Sequence, residues 1–490
     1  MNYSIILKIL SLVLWTMAAA FSACAGVSAA NAHSALESEA MPSWICLIAF
    51  ALLMGFALYL PSRNAPRKIF KKEAMCVVGL GWIIASLVGS LPYILILDCD
   101  ISSALFESTS GITTTGSSAF GSFADFPESL MFWRCLSHWI GGMGVLVFFV
   151  AILSFLGTTG RILYANETSA NSGGGIETER IQSGAFKILF LYLAISAACL
   201  AVFRLCGMGW FDGVCHMFSA VATGGFSVYE DSFAHYNSNL VYWAATAFMF
   251  IGGTSFVMML AVLSGNWRKL WQNTEFWAYL AAAVFFSLAI SAYTANFSSG
   301  AEWFDNFTQS AFQTVSLMTT TGFSTCDYDQ WKPAAVSMLF VLMLVGGCSA
   351  STAGGIKISR AVTGVKIAWT AVEKSFRPRV VRNISINGKI LDGDGVAGVM
   401  SYLLIFLISI AIGIIAIAAL EPNMSFMGTL TAVCSSISNT GPGFAEVGPA
   451  KNFGFLGAGA KTLLCVMMIA GRLEFYALIV LFMPALWKKF

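Results

Sequence analysis

An all-α integral membrane protein is the fold class this sequence predicts, and three observations predict it. Hydrophobic residues make up 57% of the 490 and charged residues only 11%, where a soluble domain carries about 25% charged. Mean hydropathy is +0.76. Apolar stretches of about 20 residues, enough to cross a bilayer as a helix, fall at roughly 4–26, 43–62, 75–97, 132–156, 184–206, 239–264, 276–297, 335–370, 395–419 and 457–487. Ten transmembrane helices are therefore expected.

The first two spans, in residues 1–72, stand apart from the rest. The first also reads as a signal peptide, with Lys8 before an apolar stretch and small residues at Ala29 and Ala30. The stretch is long for that purpose and the polytopic remainder does not need cleavage, so a retained helix is expected.

The other eight spans sort into four units of span, short re-entrant segment, loop and span. The units occupy 73–160 (pore loop 102–118), 181–270 (pore loop 211–227), 274–375 (pore loop 305–325) and 393–490 (pore loop 425–444). Each carries a Thr/Gly loop: Ile112-Thr113-Thr114-Thr115-Gly116, Val221-Ala222-Thr223-Gly224-Gly225, Met318-Thr319-Thr320-Thr321-Gly322 and Ile437-Ser438-Asn439-Thr440-Gly441. Recurrence at about 100–120 residues marks an internal repeat. All units run in the same order, which predicts parallel repeats with pseudo-fourfold symmetry about the membrane normal, unlike the inverted repeats of many transporters.

Helix-compatible runs precede the loops at 103–112, 212–221, 305–318 and 425–437, with acids such as Asp212 and Asp305 near their starts. A helix N-terminus favours such charge, and its negative C-terminal end suits a partly dehydrated cation. Beyond that end, carbonyls of Thr114, Thr115, Ala222, Thr223, Thr320, Thr321, Asn439 and Thr440 can replace an ion's hydration shell. Gly116, Gly224, Gly322 and Gly441 supply the backbone angles. A single copy would be an ordinary surface turn. Four copies on one face, each between two spans, predict a four-loop selectivity filter, because irregular backbone at membrane depth must line water or be packed in protein.

The eighth span is broken by Gly346, Gly347, Gly354, Gly355 and three hydroxyl residues ahead of Lys357. Each glycine costs a helix about 1 kcal/mol. Small residues also serve tight helix packing, but only the third unit has this break, which suits an intramembrane gate loop at 346–357 below the filter. In the last span, Arg472 costs about 2.5–3.5 kcal/mol on insertion and must face protein or water. It is expected beside the gate loop, with a structural ion pair as the alternative; Glu474, on another helix face, is not an obvious partner.

Basic residues set the orientation. Lys8, Arg63, Arg67, Lys68, Lys71, Lys72, Arg161, Arg180, Lys187, Arg268, Lys269, the block from Arg360 to Lys389, Lys488 and Lys489 share one face. That face should be cytoplasmic, with both termini. The Thr/Gly loops then open outward among Asp98, Asp100, Asp125, Glu128, Glu230, Asp231, Asp327, Asp329 and Glu446, a mouth that concentrates cations. The basic run from Arg377 to Arg382 suits an acidic partner or anionic membrane lipid.

Several classes are excluded. Twelve cysteines without a CxxC pair, most in apolar runs, read as core residues. The four histidines are scattered, so no transition-metal site is expected. Hydrolase motifs are absent and no catalytic residue is assigned; nucleic acid is not an expected partner. Gly79-Leu80-Gly81 and Gly141-Gly142-Met143-Gly144 lie in or beside spans and read as packing glycines, not a nucleotide site. No cytosolic loop is long enough for a nucleotide-binding domain, so nucleotide control would need a partner.

FESTSGITTTGSS (106–118), CHMFSAVATGGFS (215–227), QTVSLMTTTGFST (313–325) and SSISNTGPGF (435–444) resemble the Trk/Ktr/HKT superfamily of potassium transporters. So do HWIGGMG (138–144), GGCSASTAGGIKISR (346–360) and GRLE (471–474), and the similarity covers nearly the whole chain. The resemblance implies potassium uptake across a bacterial inner membrane, with potassium as the transported ligand and no covalent cofactor. It also implies homodimerisation and gating by a cytoplasmic TrkA-type nucleotide-binding ring. Loops two and four depart from the triple threonine, and no loop carries the TVGYG of potassium channels. Weaker discrimination against sodium is therefore expected. Symport coupled to sodium or protons is the alternative, though no carboxylate lies clearly inside a span to relay protons.

Overall fold

The computed structural model describes residues 1–65, 70–155, 177–294, 300–380 and 382–487. Arg67, Lys68, Arg161, Lys488 and Lys489 of the basic face lie outside the described residues. The described chain is mostly helical and matches the expected all-α class, with one departure. Ser385–Ile386 (β1) and Lys389–Ile390 (β2) pair antiparallel, Ser385 opposite Ile390. Asn387 (φ 51) and Gly388 (φ 77) turn the hairpin, the Asn-Gly pair that a tight hairpin turn favours.

The helices used below are α1 (Tyr3–Ala30), α2 (Ala35–Tyr59), α3 (Lys71–Leu97), α4 (Ile101–Ile112), α5 (Glu128–Phe155), α6 (Glu177–Leu205), α7 (Trp210–Val221), α8 (Asn239–Gly252) and α9 (Phe256–Leu263). They continue with α10 (Thr274–Thr294), α11 (Gly300–Met318), α12 (Pro333–Val345), α13 (Ile358–Phe376), α14 (Gly393–Leu420), α15 (Phe426–Ser438), α16 (Ala458–Arg472) and α17 (Tyr476–Leu481). Among the described residues, six helices are long and apolar enough to cross a membrane, and α8 with α9 forms a bent seventh candidate. The protein is a multi-pass membrane protein.

Burial shows why lipid is needed. The most apolar window of α14 has a mean hydropathy of 3.1, yet only 17% of it is buried inside the protein. Leu404, Leu407, Ile412 and Ile415 point outward. A helix apolar on all sides and bare on most of them is stable only in hydrocarbon.

Inside, packing is dense and partly aromatic. α1 lies on α2, α3 and α5, where Phe21 sits 4.9 Å from Trp133 and 6.0 Å from Trp44, ring to ring. The buried Trp44 indole donates to Ser129 Oγ at 3.0 Å, the kind of partner a buried indole N–H needs.

The stretch 239–264, expected as one straight span, turns by 94° between α8 and α9. Gly253, Thr254 and Ser255 form the break, and the Ser255 hydroxyl accepts the Met258 amide to cap α9. The freed backbone groups are taken up by the loop after α12, a long-range partner that the apolar pattern does not reveal.

Candidate functional site

Four short helices point at one region, and each ends in the same way. Asp100 caps α4 by accepting the Ser103 amide at 2.9 Å, and Ser425 caps α15 by accepting that of Gly428 at 3.1 Å. The Asp100 carboxyl pKa, outside the spans, is pulled down to about 2, mainly by the Ser102 hydroxyl and against the opposing effect of burial. At the far ends Thr114, Thr223, Thr320 and Asn439 adopt left-handed backbone, φ 52 to 55. The next residue in each loop donates its amide five residues back, Thr115 to Ser110, Gly224 to Ser219 and Thr321 to Ser316 at 2.8 Å, and Thr440 to Ser435 at 3.0 Å. This is the six-to-one bond that closes a helix C-terminus. A glycine of positive φ then follows in every loop: Gly116 (86), Gly225 (87), Gly322 (83) and Gly441 (100).

That pattern corrects the second loop. Gly225, not Gly224, matches Gly116, Gly322 and Gly441, and Gly224 stands where the others have threonine. Ala222 likewise stands level with Thr113 and Thr319 rather than with Thr114. Two adjacent glycines concealed the register, but the serine at the fixed distance ahead of the glycine in each loop (Ser110, Ser219, Ser316 and Ser435) was the signal that reveals it.

The loops meet in a closed circuit. A Cβ added to Gly116 would strike the carbonyl oxygen of Gly224, and one on Gly225 would strike that of Thr321. One on Gly322 would strike the carbonyl of Thr440, and one on Gly441 would lie 2.7 Å from that of Thr115. Each glycine thus packs on the next loop's carbonyl, and the fourth returns to the first. Only glycine fits such approaches at positive φ. A vestibule opens above, lined by Gly116, Gly225, Gly322 and Pro442 together with Arg134 and Lys451.

The loops are braced differently. In loop one the Thr113 and Thr115 hydroxyls pair at 2.7 Å, and in loop three those of Thr319 and Thr321 pair at 2.7 Å. Asn439 Nδ2 of loop four donates to Thr115 Oγ1 at 3.0 Å and to the Met468 carbonyl at 2.8 Å. The second loop has no hydroxyl pair. Thr114 Oγ1 and Ser438 Oγ are buried without a protein partner.

Directly against the inner side of the loops lies the segment between α12 and α13. α12 stops at Gly346 (φ 77) and α13 starts after Lys357 (φ 76). Residues 346–357 are therefore non-helical, and the segment is tied down throughout. The Gly354 amide donates to Thr320 Oγ1 at 2.7 Å, and Thr352 Oγ1 to the carbonyls of Val221 and Gly252 at 3.0 Å. A Cβ on Gly354 would strike the Ser438 carbonyl. The bend between α8 and α9 accepts the Cys348 amide at Gly253 (2.8 Å) and that of Thr352 at Gly252 (3.2 Å). Gly347 packs on Gly253, Gly355 packs on Gly346, and the Lys357 ammonium returns to the Ala353 carbonyl.

Arg472, at the end of α16, donates from Nη1 to the Thr352 carbonyl at 2.7 Å. It makes no ion pair among the described residues, and its hydrogen bond is with the loop. Glu474 instead pairs with Arg360 of α13 at 2.5 Å. The expected basic dock is partly self-neutralised, since Arg382 lies 2.7 Å and Arg377 3.8 Å from the Glu373 carboxylate. Many acids of the mouth are also engaged: Asp329 accepts the Ala445 amide at 3.0 Å, and Glu446 the Ser425 hydroxyl at 2.7 Å. Glu230, Asp231 and Asp327 line a second cavity beside the vestibule. The Phe123 amide on Glu230 holds that carboxyl below the usual range.

The chain matches the TrkH family, described as cation transport protein, over residues 42–287 and 301–489. The chain belongs to the TrkH family. As a TrkH-family protein it is a transporter, not an enzyme. It is 32% identical to the Trk system potassium uptake protein TrkH of Vibrio parahaemolyticus, covering 89% of this chain and 90% of that protein. Against the Trk system potassium uptake protein TrkI of Halomonas elongata it is 31% identical, covering 99% and 97%. The crystal structure of the potassium transporter TrkH from Vibrio parahaemolyticus is similar over 100% of both chains, with a TM-score of 0.88 and 28% identity.

Proposed function

We propose that this TrkH-family chain takes up potassium through a channel-like pore whose filter is the circuit of four loops. The single observation that carries the reading is the closed cycle of glycine-on-carbonyl packing from Gly116 round to Gly441. Four left-handed turns followed by glycine bring main-chain oxygens of Thr114, Thr115, Thr223, Gly224, Thr320, Thr321, Asn439 and Thr440 around one centre. Carbonyl rings of this kind exchange with the hydration shell of an alkali ion. The orphaned hydroxyls of Thr114 and Ser438 are groups that a hydrated cation would satisfy. The names of the relatives, potassium uptake proteins, support potassium as the ion.

The segment 346–357 closes the pathway. It lies against the Val221 carbonyl, the Thr320 hydroxyl and the Ser438 carbonyl, at the inner ends of three of the four short helices. Arg472 holds it there. The reading keeps ten spans, eight in four parallel units and two outside them, a bacterial inner membrane, both termini cytoplasmic, a homodimer, and a cytoplasmic TrkA-type nucleotide-binding ring as regulator.

The test is reconstituted flux at fixed voltage. Currents reversing at the potassium equilibrium potential support a channel-like pore. A reversal that follows a sodium or proton gradient makes the protein a symporter, and absence of potassium flux from folded protein refutes the proposal.

A further inference from the structure

The second loop lacks the hydroxyl pair of loops one and three, yet its backbone follows theirs. What replaces the pair comes from α5. Arg134, buried at 3% exposure, donates from Nε to Glu107 at 2.6 Å and from Nη1 to the Ser227 carbonyl at 2.7 Å. Its guanidinium lies over the Phe226 ring, 3.7 Å from the centroid, and 4.5 Å from that of Phe123. One turn further along α5, His138 stacks on the same ring, Phe226, at 4.2 Å and 16°. Its Nδ1 accepts the Phe226 amide at 3.5 Å. The imidazole fills the space that a side chain at position 224 would need, which explains glycine where the other loops carry threonine.

Glu107, fully buried on α4, links this assembly to the first loop. Its Oε2 accepts the Ala119 amide at 2.8 Å, and the Ser118 hydroxyl lies 3.2 Å from both oxygens. The Glu107–Arg134 pair therefore spans the outgoing segments of loops one and two, with Arg134 forming part of the vestibule wall. A buried ion pair is a poor source of stability, because desolvation offsets most of its attraction. Its geometric value is greater: a planar guanidinium can hold a carboxylate and a carbonyl at once.

We infer that Arg134, clamped by Glu107, and His138 form the brace of the second loop, and that Arg134 is a positioning residue that sets ion selectivity. This rests on the reading of the four loops as the filter. Without the brace, no hydroxyl pair within the loop holds Gly224 and Gly225, and their carbonyls can move to fit a smaller ion.

The full-length protein in liposomes, under bi-ionic potassium and sodium conditions, gives the permeability ratio for wild type, Gly322→Ser, Arg134→Gln and Arg134→Lys. Arg134→Gln should lower the potassium-to-sodium ratio about tenfold while conducting potassium, a change of about 1.4 kcal/mol in discrimination. Arg134→Lys should fall part way, since an ammonium cannot make the forked contact. If Gly322→Ser lowers the ratio but either Arg134 variant keeps the wild-type value, the brace is refuted and the filter stands. If Gly322→Ser also leaves the ratio unchanged, the filter reading itself fails. Should Arg134→Gln not fold, Arg134→Lys decides alone; failure of both assigns Arg134 to folding only and overturns the inference.

Discussion

Arg472 donates a single hydrogen bond to the Thr352 carbonyl, at 2.7 Å, while its Nε and Nη2 are buried without a protein partner. One contact thus holds a charged side chain from α16 against a loop that belongs to a different part of the chain. A bond from a charged donor contributes about 1.5–3 kcal/mol. Arg472→Ala should therefore raise potassium flux about tenfold or more when no regulatory partner is present. Flux at the wild-type level in folded, inserted protein would make the arginine structural.

Thr320 connects the loop circuit to the same segment, because its hydroxyl accepts the Gly354 amide at 2.7 Å. Thr320→Val keeps the shape and removes the acceptor, a loss of about 1 kcal/mol. Basal conduction should rise about fivefold, with the melting temperature little changed. A fall in flux, or an unchanged one, would separate this bond from gating.

The register of the second loop can be tested directly. Gly225→Ser and Gly322→Ser should both relax selectivity, since both glycines have positive φ and press on a neighbouring carbonyl. Gly207→Ala is the control: φ is 97 but nothing lies within 4 Å of its Cβ, so only about 1–2 kcal/mol of local strain is expected. Its permeability ratio should match wild type. If Gly225→Ser also matches wild type, the register proposed here is wrong.

The acids left at the mouth should steer ions by long-range attraction. Replacing Glu230, Asp231 and Asp327 with their amides should lower uptake about two- to fivefold at ~10 mM salt and have little effect at ~0.5 M, where screening is strong. The Phe123 amide depresses the Glu230 pKa. That tie is stabilising above the unfolded-state value and fades as pH falls through the depressed one. Acid should therefore weaken the Glu230 contribution only below the ordinary carboxylate range, as initial rates across pH would show.

Local signals made much of this legible beforehand. The four short helices, expected at 103–112, 212–221, 305–318 and 425–437, are found at Ile101–Ile112, Trp210–Val221, Gly300–Met318 and Phe426–Ser438, because Thr/Gly turns stop all of them and polar caps, Asp100 and Ser425, start two. The break at Gly346 was visible for the same reason. Features that depend on distant partners were not. The bend at Gly253 relies on amides of Cys348 and Thr352, roughly 100 residues on. Glu107 and Arg134 are each ordinary surface residue types until α4 and α5 are packed together. Glu474, set aside as a partner for Arg472, finds Arg360 on a helix 114 positions away.

A hoop has no free end. Because every glycine in the circuit leans on its neighbour's oxygen and the last leans on the first, widening one quadrant pulls on the other three. Damage at two quadrants should then cost less than the product of the separate defects, since the first lesion already slackens the whole girdle.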